Sequence, residues 1–307
     1  MKLKVLYYHQ GAVADDAALK FFKCMIGNME ANIDMIYVSE HLSAVENEKR
    51  RKLAEEQRFQ KDILGSEEAL KKGEEIIISE NISVKKFALE GDPVEELDWL
   101  VKKENYDLIA VTTFRRGGFT KDVLGVHVKK LVQQLEVPLL VHKGEVEMCS
   151  GVLIYIPSKI ANEKHFLEFI RYMADLLKKS KPSITFLSVM EENQHRFEGY
   201  TSSEDPYMEK AVEDYEREGI KNIEKAQKIF KDNGLESDIR HRRGKAIQGL
   251  IDEAKEGRYD MMAFAPSEPG LLENLWQGDE SFEVVRDIEI AVLKFPPKFK
   301  YRRNEKI

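Results

Sequence analysis

Along the chain, short apolar runs, many of them β-branched, alternate with longer stretches in which apolar positions recur every three or four residues. In the first half the short runs predict strands at 3–8, 33–38, 84–89, 107–113 and 137–142. In the second half they predict strands at 152–156, 184–189, 237–240, 260–264 and 290–293. Most are nearly continuous, as expected of strands buried on both faces. Between them the period changes. In 17–29 the residues Ala18, Phe21, Phe22, Met25 and Ile26 mark one helical face. The stretch 91–104 has a legible start, with Asp92 as cap, Pro93 at the first helical position and Glu95 placed for a capping box. The longest helix of the second half is expected within 207–233, and Trp99 is expected in the core. This alternation implies an α/β fold with a parallel sheet, right-handed crossovers and helices on both faces. Ligands of such sheets sit at the carboxyl ends of strands, near the switch point in strand order.

The two halves repeat each other. Residues 91–113 and 244–266 align without a gap at a shift of 153, pairing Gly91 with Gly244, Leu97 with Leu250, Tyr106 with Tyr259 and Asp107 with Asp260. Downstream, Gly117, Gly125 and Glu136 meet Gly270, Gly278 and Glu289 at the same shift. Upstream, VLYY at 5–8 matches VLIY at 152–155 at a shift of 147, so the halves differ by about six residues in between. Two domains are expected, at 1–146 and 147–307, packed as an internal pseudo-dimer or, through the whole chain, as a homodimer. Pro138, without a backbone donor, suits a strand start or an edge.

Composition narrows the function. The 307 residues are 42% hydrophobic and 34% charged, enough for two solvated domains with their own cores. The net charge of −7 argues against nucleic-acid binding, which needs a basic face. Cys24 and Cys149 form no Cys-x-x-Cys pair, and a reducing, cytoplasmic setting is expected. The opening MKLKVLYYHQG lacks the pattern of a signal peptide, and no apolar run approaches the ~20 residues of a membrane span. The seven histidines form no ligand pair, so no metal site is expected.

The order of elements, the Gly91-Asp92-Pro93 turn and the glycine-bearing loop after the fourth strand resemble the universal stress protein family, once per half, so the chain resembles a tandem member. That resemblance implies a five-stranded parallel sheet in the order 3-2-1-4-5 in each half. Some members of the family bind ATP or a related adenine nucleotide. Their pattern after the fourth strand is Gly, two residues, Gly, nine residues, Gly, then Ser or Thr, with an Asp near the end of the first strand. Glycines let backbone N–H groups approach phosphates, and a helix N-terminus adds a favourable dipole.

Anchored on Gly125, the pattern puts Thr112 and Arg115 at its earlier glycines, Val126 at the hydroxyl position and Gln10 at the Asp. Gly11, Gly117 and Gly118 lie nearby. In the second half Pro157 replaces the Asp, Gly278 is kept, Gly270 is off the pattern, and Asp279 takes the hydroxyl position, where it repels phosphate. Both sites are read as degenerate. Charge separates them: 112–130 holds Arg115, Arg116, Lys121, Lys129 and Lys130 against Asp122, whereas 265–283 holds five acids and no Lys or Arg. A nucleotide, ATP or AMP, is therefore expected only in the first half, at Gln10, Gly11, Thr112, Arg115, Arg116, Gly117, Gly118, Gly125 and His127. No cofactor is required.

Other polar groups have plainer readings. Asp15 and Asp16 suit the start of a helix near Ala17. His9, at the end of the first strand, and His127 are candidates to line the cleft. Arg240, His241, Arg242 and Arg243 read either as a polar strand end or as an anion site, and Trp276 as a packing residue or a plug in the second cleft. No Gly-x-Ser-x-Gly or Gly-x-x-x-x-Gly-Lys-Ser/Thr motif occurs. The expected function is a non-catalytic stress-response or signalling module that acts through protein partners. Two alternatives are an ATP-binding protein with slow hydrolysis, using Arg115 and Arg116, and a regulatory domain associated with a membrane transporter.

Overall fold

The structure, a computed structural model, describes residues 2–9, 13–39, 67–113, 130–131, 134–143, 146–190, 206–265, 288–296 and 299–301. The chain divides into two compact units, 1–148 and 149–307.

Unit 1 runs β1 (Leu3–Tyr8), α1 (Val13–Ile26), β2 (Ala31–Ser39), α2 (67–77), β3 (Ile82–Glu90), α3 (Pro93–Lys103), β4 (Leu108–Thr113) and β5 (Leu139–Lys143). Its strands are parallel, in the order β3-β2-β1-β4-β5. Unit 2 runs β6 (Gly151–Tyr155), α4 (Glu163–Leu177), β7 (Ser183–Met190), α5 (Pro206–Asp232), β8 (Asp238–Arg243), α6 (Ala246–Glu256), β9 (Met261–Phe264) and β10 (Ala291–Lys294). Its order, β10-β9-β6-β7-β8, is the same topology. Each unit therefore has its switch point between its first and fourth strands.

Strand register resolves where the halves differ. Val5 pairs with Leu108 as Val152 pairs with Met261, which reproduces the shifts of 147 and 153. Val5 pairs with Ile33 and Val152 with Ile184, a shift of 151 in the second strand. Asp34 pairs with Lys85 and Thr185 with Asp238, so the shift reaches 153 by the third. Unit 2 thus carries four extra residues between its first two strands and two more between the second and third.

The repeated Tyr-Asp pair is explained by packing. Asp107 accepts a hydrogen bond from the backbone N–H of Lys4 at 2.8 Å, at the start of β1. Its counterpart Asp260 accepts from the N–H and hydroxyl of Ser150, both at 2.7 Å, and from the N–H of Gly151 at 3.0 Å. Each carboxylate thus ties the first strand to the start of the fourth. Tyr106 donates to Asp34 at 2.8 Å and Tyr259 to Glu253 at 2.9 Å.

The third strand of each unit is an edge, as the order 3-2-1-4-5 requires, and β3 and β8 are largely exposed. One expectation from the pattern is corrected. Trp99 is not core: it is 52% exposed, with the Lys103 ammonium 4.5 Å from its ring centre. On α3 the buried face is Pro93, Val94 and Leu97. Two residues beyond Leu97 is about 200° of helical rotation, which turns Trp99 outward.

The matching helix starts of the two units are built differently. Asp92 caps α3, its Oδ1 accepting from the N–H groups of Val94 at 2.8 Å and Glu95 at 3.2 Å, with Pro93 next. The equivalent residue of α6 is Lys245, which makes no side-chain cap.

Candidate functional site

Local sequence decides what stands at the switch point of unit 1. Side chains alternate along a strand, so Tyr7 and His9 share a face. His9 continues the ladder, its backbone N–H donating to the carbonyl of Ile36 at 2.8 Å. Ala110 lies opposite Tyr7, which brings Thr112 to that same face. The Tyr7 hydroxyl and Thr112 Oγ1 are 3.4 Å apart, and both residues are buried. The rings of Tyr7 and His9 lie 6.4 Å apart, and Phe22 of α1 meets Tyr7 edge-on at 6.2 Å.

Helix α1 begins at Val13, four residues before Ala17, so Asp15 and Asp16 fall inside its first turn. Acids suit that position, but Asp15 does more than start the helix. It is fully buried, with Oδ2 3.7 Å from Nδ1 of His9. Asp16 pairs with Lys72 of α2. Gly73 of α2 admits the imidazole: a Cβ there would stand 2.9 Å from His9 Cδ2 and 2.9 Å from Met35 Sδ. Strand ends, α1 and α2 thus enclose one polar cluster.

Burial sets its electrostatics. Desolvation pushes the His9 imidazole below its ordinary value, against the opposing pull of Asp15 and Asp16 and with a smaller push from Lys72. Desolvation, and then the Asp15 carboxylate, hold the Tyr7 phenol well above its ordinary value. A second histidine, His142 at the end of β5, is also lowered by burial; its Nε2 lies 2.8 Å from the carbonyl of Val146.

Unit 2 keeps the framework and loses the chemistry. The shifts put Ile154, Ile156 and Ala265 where unit 1 has Tyr7, His9 and Thr112, and all three are fully buried. The following loop is tied to α5. Asn222 donates from Nδ2 to the carbonyls of Pro157 at 3.4 Å and Ser158 at 2.9 Å. Gly219, one turn earlier, leaves room for Ser158, whose Oγ would be 2.8 Å from a Cβ.

Of the residues singled out from the pattern, Thr112 joins this cluster, as does His9. Gln10, Gly11, Arg115, Arg116, Gly117, Gly118, Gly125 and His127 lie outside the described residues, as do Trp276, Gly278 and Asp279. Tyr7, Asp15 and Gly73 were not singled out as one site. The signal available was the polar Tyr-Tyr-His end of an otherwise apolar strand. Among the described residues, no group of three or more His, Cys, Asp or Glu could hold a metal ion. Arg240–Arg243 lie elsewhere, along β8.

Residues 3–143 match the family model described as the universal stress protein family. No curated protein matches the chain in sequence. Among solved structures, a universal stress protein from Archaeoglobus fulgidus is similar at 18% identity, covering 95% of this chain and 96% of its own, with a TM-score of 0.61. A protein of Pseudomonas aeruginosa provisionally assigned to the same family is 15% identical, with 95% and 92% covered and a TM-score of 0.59. At these identities the likeness is one of fold.

Proposed function

Residues 3–143 belong to the universal stress protein family, and from that premise we propose that the chain is a non-catalytic stress-response or signalling module, acting through protein partners in the cytoplasm. Unit 1 is its sensing half, with ATP or AMP as ligand, and unit 2 is structural. One observation carries the reading: the same strand ends hold Tyr7, His9 and Thr112 in unit 1 and Ile154, Ile156 and Ala265 in unit 2. The polar set responds to charge brought to the mouth of the cleft, through Asp15 and the Asp16–Lys72 pair. The apolar set offers no such response. The tie from Asn222 to the loop after β6 also favours a structural role for unit 2. No helix among the described residues is long and apolar enough to cross a membrane.

A second reading, an ATP-binding protein with slow hydrolysis, draws on Arg115, Arg116, Lys121, Lys129 and Lys130, clustered after β4. Calorimetric titration of ATP with Mg²⁺ into the full chain, beside Arg115→Ala/Arg116→Ala, tests both. One micromolar site weakened by the substitutions supports nucleotide sensing by unit 1. Phosphate release by that complex selects the hydrolytic reading. Absence of binding up to millimolar ATP removes the nucleotide from the proposal and leaves the partner-binding module.

A further inference from the structure

Strand β8 ends the sheet of unit 2, pairing with β7 on one side. The Gly244 N–H donates to the carbonyl of Met190 on β7 at 2.9 Å. Backbone groups alternate in direction along a strand, so the N–H and C=O groups of Ile239 and His241 point away from β7. Asp238, Ile239, Arg240, His241 and Arg243 are exposed. The basic run continues past the strand end to Lys245, and an open pocket of about 280 Å3 there is lined by Arg243, Lys245 and Gln248 with one acid, Asp252. Arg242 is committed inward, to Glu253 at 2.6 Å and to Glu256.

Sheet edges are templates for another strand, and proteins guard them with charge. The edge of unit 1 is guarded by mixed signs: β3 carries Lys85, Lys86 and Glu90, and Lys86 is paired with Glu74. The edge of unit 2 opens on Asp238 and then carries basic residues and no acid from Arg240 to Lys245, on a chain whose net charge is −7. Such a basic stretch repels its own kind and admits a segment of opposite charge.

We propose that the outer edge of β8 is a docking site for an acidic, extended segment of a partner protein, which adds to the sheet as a further strand. Backbone pairing with Ile239 and His241 holds the segment. One carboxylate of the segment meets Arg240 on the strand, and another meets Lys245 at the pocket beyond the strand end. This rests on the reading that the chain acts through protein partners, and names the chemistry of one such partner.

The test uses the full chain and a fluorescein-labelled alternating Glu-Val octapeptide, followed by anisotropy. Saturable binding is expected, weakened at least tenfold by Arg240→Glu/Lys245→Asp and lost when alternate amides of the peptide are N-methylated. Ile239→Pro, which removes an outward N–H and leaves the basic charges, is expected to weaken binding equally. Amide resonances of Ile239 and His241 should shift on titration. Absence of binding overturns the proposal. So does equal binding of the N-methylated peptide or of an oligonucleotide of equal charge, since either makes the patch a mere charge sink. Cross-linking in cells separates the two readings. Partners captured equally by wild type and the double variant leave the module reading standing and sink the edge proposal; absence of any captured partner sinks the module reading itself.

Discussion

The two units provide an internal control on helix capping. Asp92 and Lys245 stand at equivalent positions with nearly the same backbone, φ −80° and ψ 123° against φ −67° and ψ 130°. An Asp at 245 can therefore take the conformation of Asp92 without strain and reach the N–H groups at the start of α6. Gaining a side-chain cap is worth about 1 kcal/mol. Exchanging a cation for an anion at the positive end of the helix dipole adds about 0.3–1 kcal/mol. Because the two gains overlap, Lys245→Asp should stabilise unit 2 by about 1–2 kcal/mol. For a domain of this size that is about 2–4 °C in melting temperature per kcal/mol. Two-unit chains need not unfold in one step, so the signal must come from unit 2. The chain has two tryptophans, and a Trp99→Phe background leaves Trp276 as reporter. Urea and thermal unfolding of Lys245→Asp and Lys245→Ala in that background separate the contributions, since Ala removes the cation without adding a cap. The electrostatic part should shrink in high salt, and the hydrogen-bonded part should persist. If Lys245→Asp gains no more than Lys245→Ala, the capping argument is wrong.

Acid should weaken unit 1. Burial holds His9 and His142 below the ordinary 6.5; the unfolded chain therefore takes up protons that the native state refuses, and stability falls as pH drops from about 6.5 toward the native values. The difference in urea midpoint between about pH 7.5 and pH 5.5 should shrink in His9→Gln/His142→Gln, and an unchanged difference would assign the acid sensitivity to other groups. On α3, Leu97→Ala should cost about 2–5 kcal/mol because Leu97 is fully buried, whereas Trp99→Ala should cost less than about 1 kcal/mol; equal losses in chemical denaturation would contradict the outward placement of Trp99.

The periodicity of apolar residues determined most of the architecture by itself. Strand runs and helical faces are local patterns, and a repeat at shifts of 147 and 153 is visible without coordinates, so the α/β class and the doubled plan followed from the chain alone. The start of α3 was equally local, because Asp92 and Pro93 act within one turn. Tertiary structure decided what depends on neighbours. An edge strand and a central strand differ in what lies beside them, so the exposure of β3 and β8 followed only from the strand order. Trp99 reads as core by its chemistry and is turned out by its helical phase relative to Leu97. Asp15 reads as a helix start, and only the packing of α1 and α2 over the strand ends makes it the buried neighbour of His9. The glycine and basic residues after β4 were legible as a motif, but the Tyr7–Thr112 and His9–Asp15 contacts join positions 105 and 6 residues apart, a relation set by pairing β1 with β4 and folding α1 back across them.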